Sequence, residues 1–204
     1  MSGNTRPSLE LKRDLIRHAY DSFLAAQARL FVQATSNEEV SDSDEIDRRR
    51  ELLLLDDLAS FAIAARRLIE LTVLKSFANR CVVPLAYLDQ SEEPYLVMKS
   101  KQSIGFLTLM NRLIHASFIQ HFSNKLHFVL FITRPPKEVQ EAIMLRSLGK
   151  HETIEQLLFV SSDKDDPALI SIRDMIDQSI KVADKIIDVC SDQNIFLELW
   201  PREP

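Results

Sequence analysis

An amide, a guanidinium and an imidazole fall within five positions of an apolar run, Leu109-Met110-Asn111-Arg112-Leu113-Ile114-His115-Ala116. Asn111 and His115 are four residues apart. On a helix they share one face and can hydrogen-bond a common third group, such as a phosphate or a carboxylate. Arg112 precedes His115 by three residues and approaches that face from its flank.

A second polar set lies upstream, in Phe61–Glu70 (FAIAARRLIE), where Arg66 and Arg67 stand four and three residues before Glu70. A carboxylate on an apolar helix has to be paired or face a cleft, because isolated burial costs several kcal/mol. If the two helices pack antiparallel, Glu70 orients His115, and the imidazole can serve as a general acid or base near neutral pH. The chemical set is then His115, Asn111, Arg112 and Glu70 as catalytic candidates, with Arg66 and Arg67 as substrate-binding candidates. The same residues equally fit a satisfied core pair or a dimer-interface contact, and Arg66…Glu70 is also an ordinary intrahelical ion-pair spacing.

Other chemistries are excluded more simply. The chain of 204 residues has three glycines and neither a P-loop nor a G-x-G-x-x-G pattern, so the familiar nucleotide-binding loops are absent. The histidines outside the motif (His18, His121, His127 and His151) have no ligand-like spacing, and Cys81 and Cys190 have no C-x-x-C partner. No metal, no cofactor and two reduced thiols are therefore expected. The net charge of −5 disfavours a broad basic face for duplex nucleic acid, so no DNA partner is expected. A local basic cleft for RNA is compatible with it. No signal-peptide-like stretch opens the sequence and no run approaches spanning length, so a cytoplasmic protein without membrane association is expected.

The elements that must position these groups read as mainly helical. Residues 8–34 form a first helix with Ser8 as N-cap, on the recurrence of Leu11, Leu15, Ala19 and Phe23. An acidic loop follows at 36–45, and 45–79 reads as a long second helix. Between Pro84 and Pro94 the β-branched pieces predict short extended segments. A third helix over 101–122 carries the motif, with Ile104, Leu107, Asn111, Ile114 and Phe118 as one seam.

A buried strand at 126–133, a short helix at 137–148 ending at Gly149, and a second strand at 156–162 come next. A final amphipathic helix starts at Asp165-Asp166-Pro167 and reaches Cys190, with Ile172, Ile176, Ile180, Ala183 and Ile187 inward. The expected architecture is one domain over 1–204, with residues 1–7 a flexible leader. It is a helical bundle with a small two-stranded β element inserted before the C-terminal helix.

The stretch MNRLIHA resembles the terminal-helix motif of the HEPN superfamily, whose typical form is R-N-x-x-x-H. Asn111 matches its Asn and His115 its His, while Met110 occupies the Arg position. FAIAARRLIE is similar to the long helix that precedes the motif in that family, and the likeness spans roughly residues 10–120. The resemblance implies a helical bundle that dimerises through the motif helix. In active members an Arg and the His cleave RNA without metal, in toxin–antitoxin or phage-defence settings; degenerate members bind RNA or act as scaffolds.

With Met110 in the Arg position the charge developing on phosphorus loses an electrostatic contribution worth several kcal/mol. The expectation is therefore a non-catalytic or regulatory, RNA-associated homodimer. The alternatives are a metal-independent endoribonuclease toxin and a purely structural protein–protein interaction module. Partners follow from these: a second copy, RNA, or a protein such as an antitoxin.

Overall fold

The computed structural model describes residues 9–35, 44–89, 97–122 and 156–197. Its elements are α1 (Leu9–Thr35), α2 (Asp44–Leu71), α3 (Lys75–Arg80), β1 (Val82–Asp89), β2 (Val97–Gly105), α4 (Phe106–Ile114), β3 (Phe118–Phe122), β4 (Leu157–Ser161), β5 (Ala168–Ser171) and α5 (Ile172–Asp192). The expected helical bundle with two strands is overturned. Five strands form one antiparallel sheet in the order β2-β1-β5-β4-β3.

The sheet's inner face follows from its register. Leu85 opposes Ile170, Ile170 opposes Leu158 and Leu158 opposes His121, so one row of side chains crosses four strands. Leu85, Ile170 and Leu158 join the helices' apolar stripes in one core. α1 contributes Ile16, Tyr20, Phe23 and Leu30, and α2 contributes Leu58, Phe61, Leu68 and Ile69, all essentially fully buried at helical spacing. Rings tie three helices together: Phe23 stacks on Phe61 at 5.4 Å, and Phe61 meets Phe106 edge-on at 6.1 Å. Burying each such side chain contributes about 1.5–3 kcal/mol. The sheet's opposite face also buries Leu157, Phe159 and Phe122 at the β4–β3 end.

Three boundaries differ from the sequence expectation. α2 stops at Leu71 rather than continuing to 79, and the chain turns through Val73, whose φ is 60°. The turn is a Schellman closure: the Leu74 N–H donates to Ile69 O at 3.0 Å and Val73 N–H to Glu70 O at 3.4 Å. The same device ends α5, with Asn194 at φ 54° and Ile195 N–H donating to Cys190 O at 2.8 Å.

The expected helix over 101–122 is three elements: the end of β2, the nine-residue α4, and β3. Gly105 makes the corner, because a Cβ there would lie 2.7 Å from the Asn79 carbonyl oxygen. The Phe106 N–H then donates to Cys81 O at 2.8 Å, which pins the start of α4 to the end of α3.

The last helix begins at Ile172, not at Asp165. The cap-like residues before it serve a turn, in which Ser162 Oγ accepts from Asp165 N–H at 3.1 Å. β5 follows, and its last residue, Ser171, is the N-cap of α5, its hydroxyl accepting from Asp174 N–H at 3.2 Å. The expected first helix, the β4 strand and the body of α5 match within a few residues. The strand expected at 126–133, the helix at 137–148, Ser8, residues 36–43 and Gly149 lie outside the described residues.

Candidate functional site

α4 positions the motif. It buries Phe106, Leu107, Leu109, Met110, Arg112 and Leu113, leaving Thr108, Asn111 and His115 on the more open side. Asn111 and His115 thus share a face, as their spacing predicts. They do not share a partner. His115 is the exposed C-cap of α4, with its backbone N–H on Asn111 O at 3.1 Å, and its ring makes no hydrogen bond or ion pair among the described residues. Asn111 is half-buried, and its Oδ1 has no hydrogen-bond partner among the described residues.

Arg112 behaves opposite to its expected role at the flank. It is 6% exposed, and its guanidinium donates to the Asp166 carbonyl in the segment leading into β5. A guanidinium committed to a backbone carbonyl inside the fold is a strut between α4 and the β4–β5 connection. Met110, in the position where the resemblance would have an arginine, is fully buried in the core.

Glu70 lies one residue from the end of α2, and no hydrogen bond or ion pair joins it to His115 among the described residues. Its carboxylate accepts from Arg66 Nε at 3.4 Å and lies 3.7 Å from Lys75 Nζ, all three side chains being substantially exposed. Pairs of this kind contribute a few tenths of a kcal/mol. Arg67 is exposed on the outer side of α2 and makes no hydrogen bond or ion pair among the described residues. The six candidates are therefore distributed over an exposed ion pair (Arg66 and Glu70), a sealed strut (Arg112), a half-buried amide (Asn111), a solvent-facing imidazole (His115) and an exposed guanidinium on the outer side of α2 (Arg67). None of the interactions that would join His115 to a carboxylate or to an arginine is present among the described residues.

Among the described residues the remaining titratable groups add no second centre. No cluster of His, Cys, Asp and Glu among the described residues could hold a metal ion. Cys81 and Cys190 are buried, unpaired thiols. Burial pushes both thiols up, with Lys181 and Arg80 opposing it at Cys81, so neither is an activated nucleophile. Burial, and then the nearby Asp184, Cys190 and Asp21, push the Tyr20 phenol up to about 12. An open cavity of about 360 Å³ lies between the start of α1 and the end of α5, lined by Lys12, Arg13, Asp192 and Gln193 among others. None of the six candidates borders it.

Two features escaped the sequence expectation. One is the Arg112–Asp166 strut, which joins residues 54 positions apart and has no local signal. The other is the outer stripe of α2, legible as Leu52, Asp56, Ala59, Ile63 and Arg67 recurring at helical spacing. Among the described residues no helix is long and apolar enough to cross a membrane. No family model, curated protein or solved structure matches this chain.

Proposed function

We propose that this protein is a non-catalytic module that acts by binding another macromolecule. The commitment of Arg112 carries this proposal: the one arginine next to Asn111 and His115 is buried and donates to the Asp166 carbonyl. A metal-independent ribonuclease needs a cation facing the phosphate together with an oriented imidazole. Here the cation is turned inward, Met110 is core, and His115 has no orienting carboxylate among the described residues.

Within that proposal a protein partner, including a second copy of the chain, is favoured over RNA. The large apolar side chains left exposed on the two longest helices, Leu9, Leu52, Leu53 and Ile63, suit a protein surface better than a polyanion. A cytoplasmic location accompanies it, since the free Cys81 and Cys190 suit a reducing compartment. The test is incubation of labelled single-stranded RNA with the native protein, His115→Ala and Glu70→Gln in excess chelator. No cleavage by any of the three is expected; cleavage by the native protein that His115→Ala abolishes sinks the proposal.

A further inference from the structure

The outer side of α2 is a face with nothing packed on it among the described residues. Leu52 is 55% exposed and Ile63 56%, and the small residues Ala59 and Ser60 lie between them, also exposed. Two charges share the stripe: Asp56, between Leu52 and Ala59, and Arg67, one turn beyond Ile63.

The charges on this stripe are distinguished by their lack of partners. Elsewhere on α2, Asp57 is engaged by Arg29 and Gln33 of α1, and Glu70 by Arg66 and Lys75. Asp56 and Arg67 make no hydrogen bond or ion pair among the described residues. They cannot satisfy each other within one helix, since eleven residues rise about 16 Å.

We infer that this face is a self-association surface, on which a second copy of the chain packs α2 antiparallel to α2 about a two-fold axis between Ala59 and Ser60, with Asp56 of each copy against Arg67 of the other. The symmetry follows from the numbering. An axis between positions 59 and 60 brings Ala59 opposite Ser60, Asp56 opposite Ile63 and Leu52 opposite Arg67. Each Asp56 then lies one turn from the other copy's Arg67, and each Leu52 one turn from the other copy's Ile63. The small residues at the centre let the helices approach, the apolar side chains cover them on both sides, and the two ion pairs form twice by symmetry. A single helix packed on its own copy makes a small interface, at or below about 1,200 Å² in total. The dimer is therefore reversible and concentration-dependent.

This surface rests on the proposal that the chain is an interaction module, and the two fail separately. RNA cleavage removes the module while saying nothing of the dimer; a monomeric native protein removes the dimer and leaves the module. The experiment is sedimentation velocity on the full chain over roughly a hundredfold range of concentration around the micromolar dissociation constants of small interfaces. Native protein moves from monomer toward dimer as concentration rises. Asp56→Arg and Arg67→Asp each set like charges against one another in both pairs and weaken association at least about tenfold. An equimolar mixture of the two variants associates again. The arginine introduced at position 56 of one copy then meets the aspartate introduced at position 67 of the other, and the native Asp56 and Arg67 meet across the second contact. Both positions are exposed, so melts of the variants coincide with the native melt. A native protein that stays monomeric throughout, a dimer that neither reversal weakens, or a mixture that stays monomeric overturns the surface.

Discussion

Replacing Arg112 by Ala separates a structural arginine from a chemical one. Three losses add up in that variant. The charged-donor hydrogen bond to the Asp166 carbonyl is worth about 1.5–3 kcal/mol, and its removal leaves a backbone acceptor to find water or go unpaired. The side-chain stem, 6% exposed, leaves a space where it was buried, which adds about 1 kcal/mol. The link between α4 and the segment before β5 is lost with them.

The expected destabilisation is about 3 kcal/mol, a fall in Tm of about 6–12 °C for a chain of this size. Urea unfolding monitored by far-UV circular dichroism measures it, with a midpoint that drops at constant slope. His115→Ala is the control: the residue is exposed and unpartnered among the described residues, so its midpoint stays within about 0.5 kcal/mol of native. An Arg112→Ala protein that melts like the native one refutes the strut. If the same variant also loses an RNA-directed activity, the arginine is chemical.

Further outcomes follow from local geometry. Gly105→Ala puts a methyl 2.7 Å from a backbone oxygen of α3 and costs about 1–3 kcal/mol in urea melts, although φ at that position is ordinary at −63°. Val73→Gly relieves a β-branched residue of a left-handed conformation at an exposed helix end and raises stability by about 0.5–1 kcal/mol; the gain is absent at Asn194, which tolerates that conformation. Tyr20 gives an alkaline signature. With the folded phenol at about 12 against an ordinary 10.0, the folded state keeps a proton that the unfolded state has lost, so stability falls as pH rises through that interval. The loss reaches about 2 kcal/mol by about pH 11.5 and is missing in Tyr20→Phe, read as the difference between the two proteins' urea midpoints from pH 8 upward.

How much of this was legible depended on element length. α1 and the body of α2 repeat their apolar stripe over many turns, and a pattern that long has one explanation. The stretch from Ile104 to Phe118 does not. Ile104 lies at the end of one strand and Phe118 begins another, yet both fall in step with Leu107, Asn111 and Ile114, because a helical seam extended by one residue at each end is indistinguishable from helix flanked by strands. Gly105 was the punctuation inside it, and what it answers is a contact with Asn79, 26 positions earlier in the chain. β5 was missed for the same reason: four residues between a cap-like Asp-Asp-Pro and a helix carry too little pattern to be told from the helix's first turn. At the site, the shared face of Asn111 and His115 was legible from spacing, since the helical hydrogen bond from His115 N–H to Asn111 O carries the last turn of α4 through to its C-cap. The burial of Arg112 was not, because it is decided by the segment before β5 folding over α4. The partner of Glu70 was local, Arg66 and Lys75, and the first of these stands at the expected spacing.

The proposed function requires that the Asn111–Arg112–His115 group perform no chemistry. The most direct measurement is a single-turnover cleavage time course, with native protein in excess over end-labelled structured and single-stranded RNA, in chelator, beside His115→Ala. Two time courses that coincide with each other and with RNA incubated without protein are expected. Discrete cleavage products from the native protein, absent with His115→Ala, contradict the proposed function.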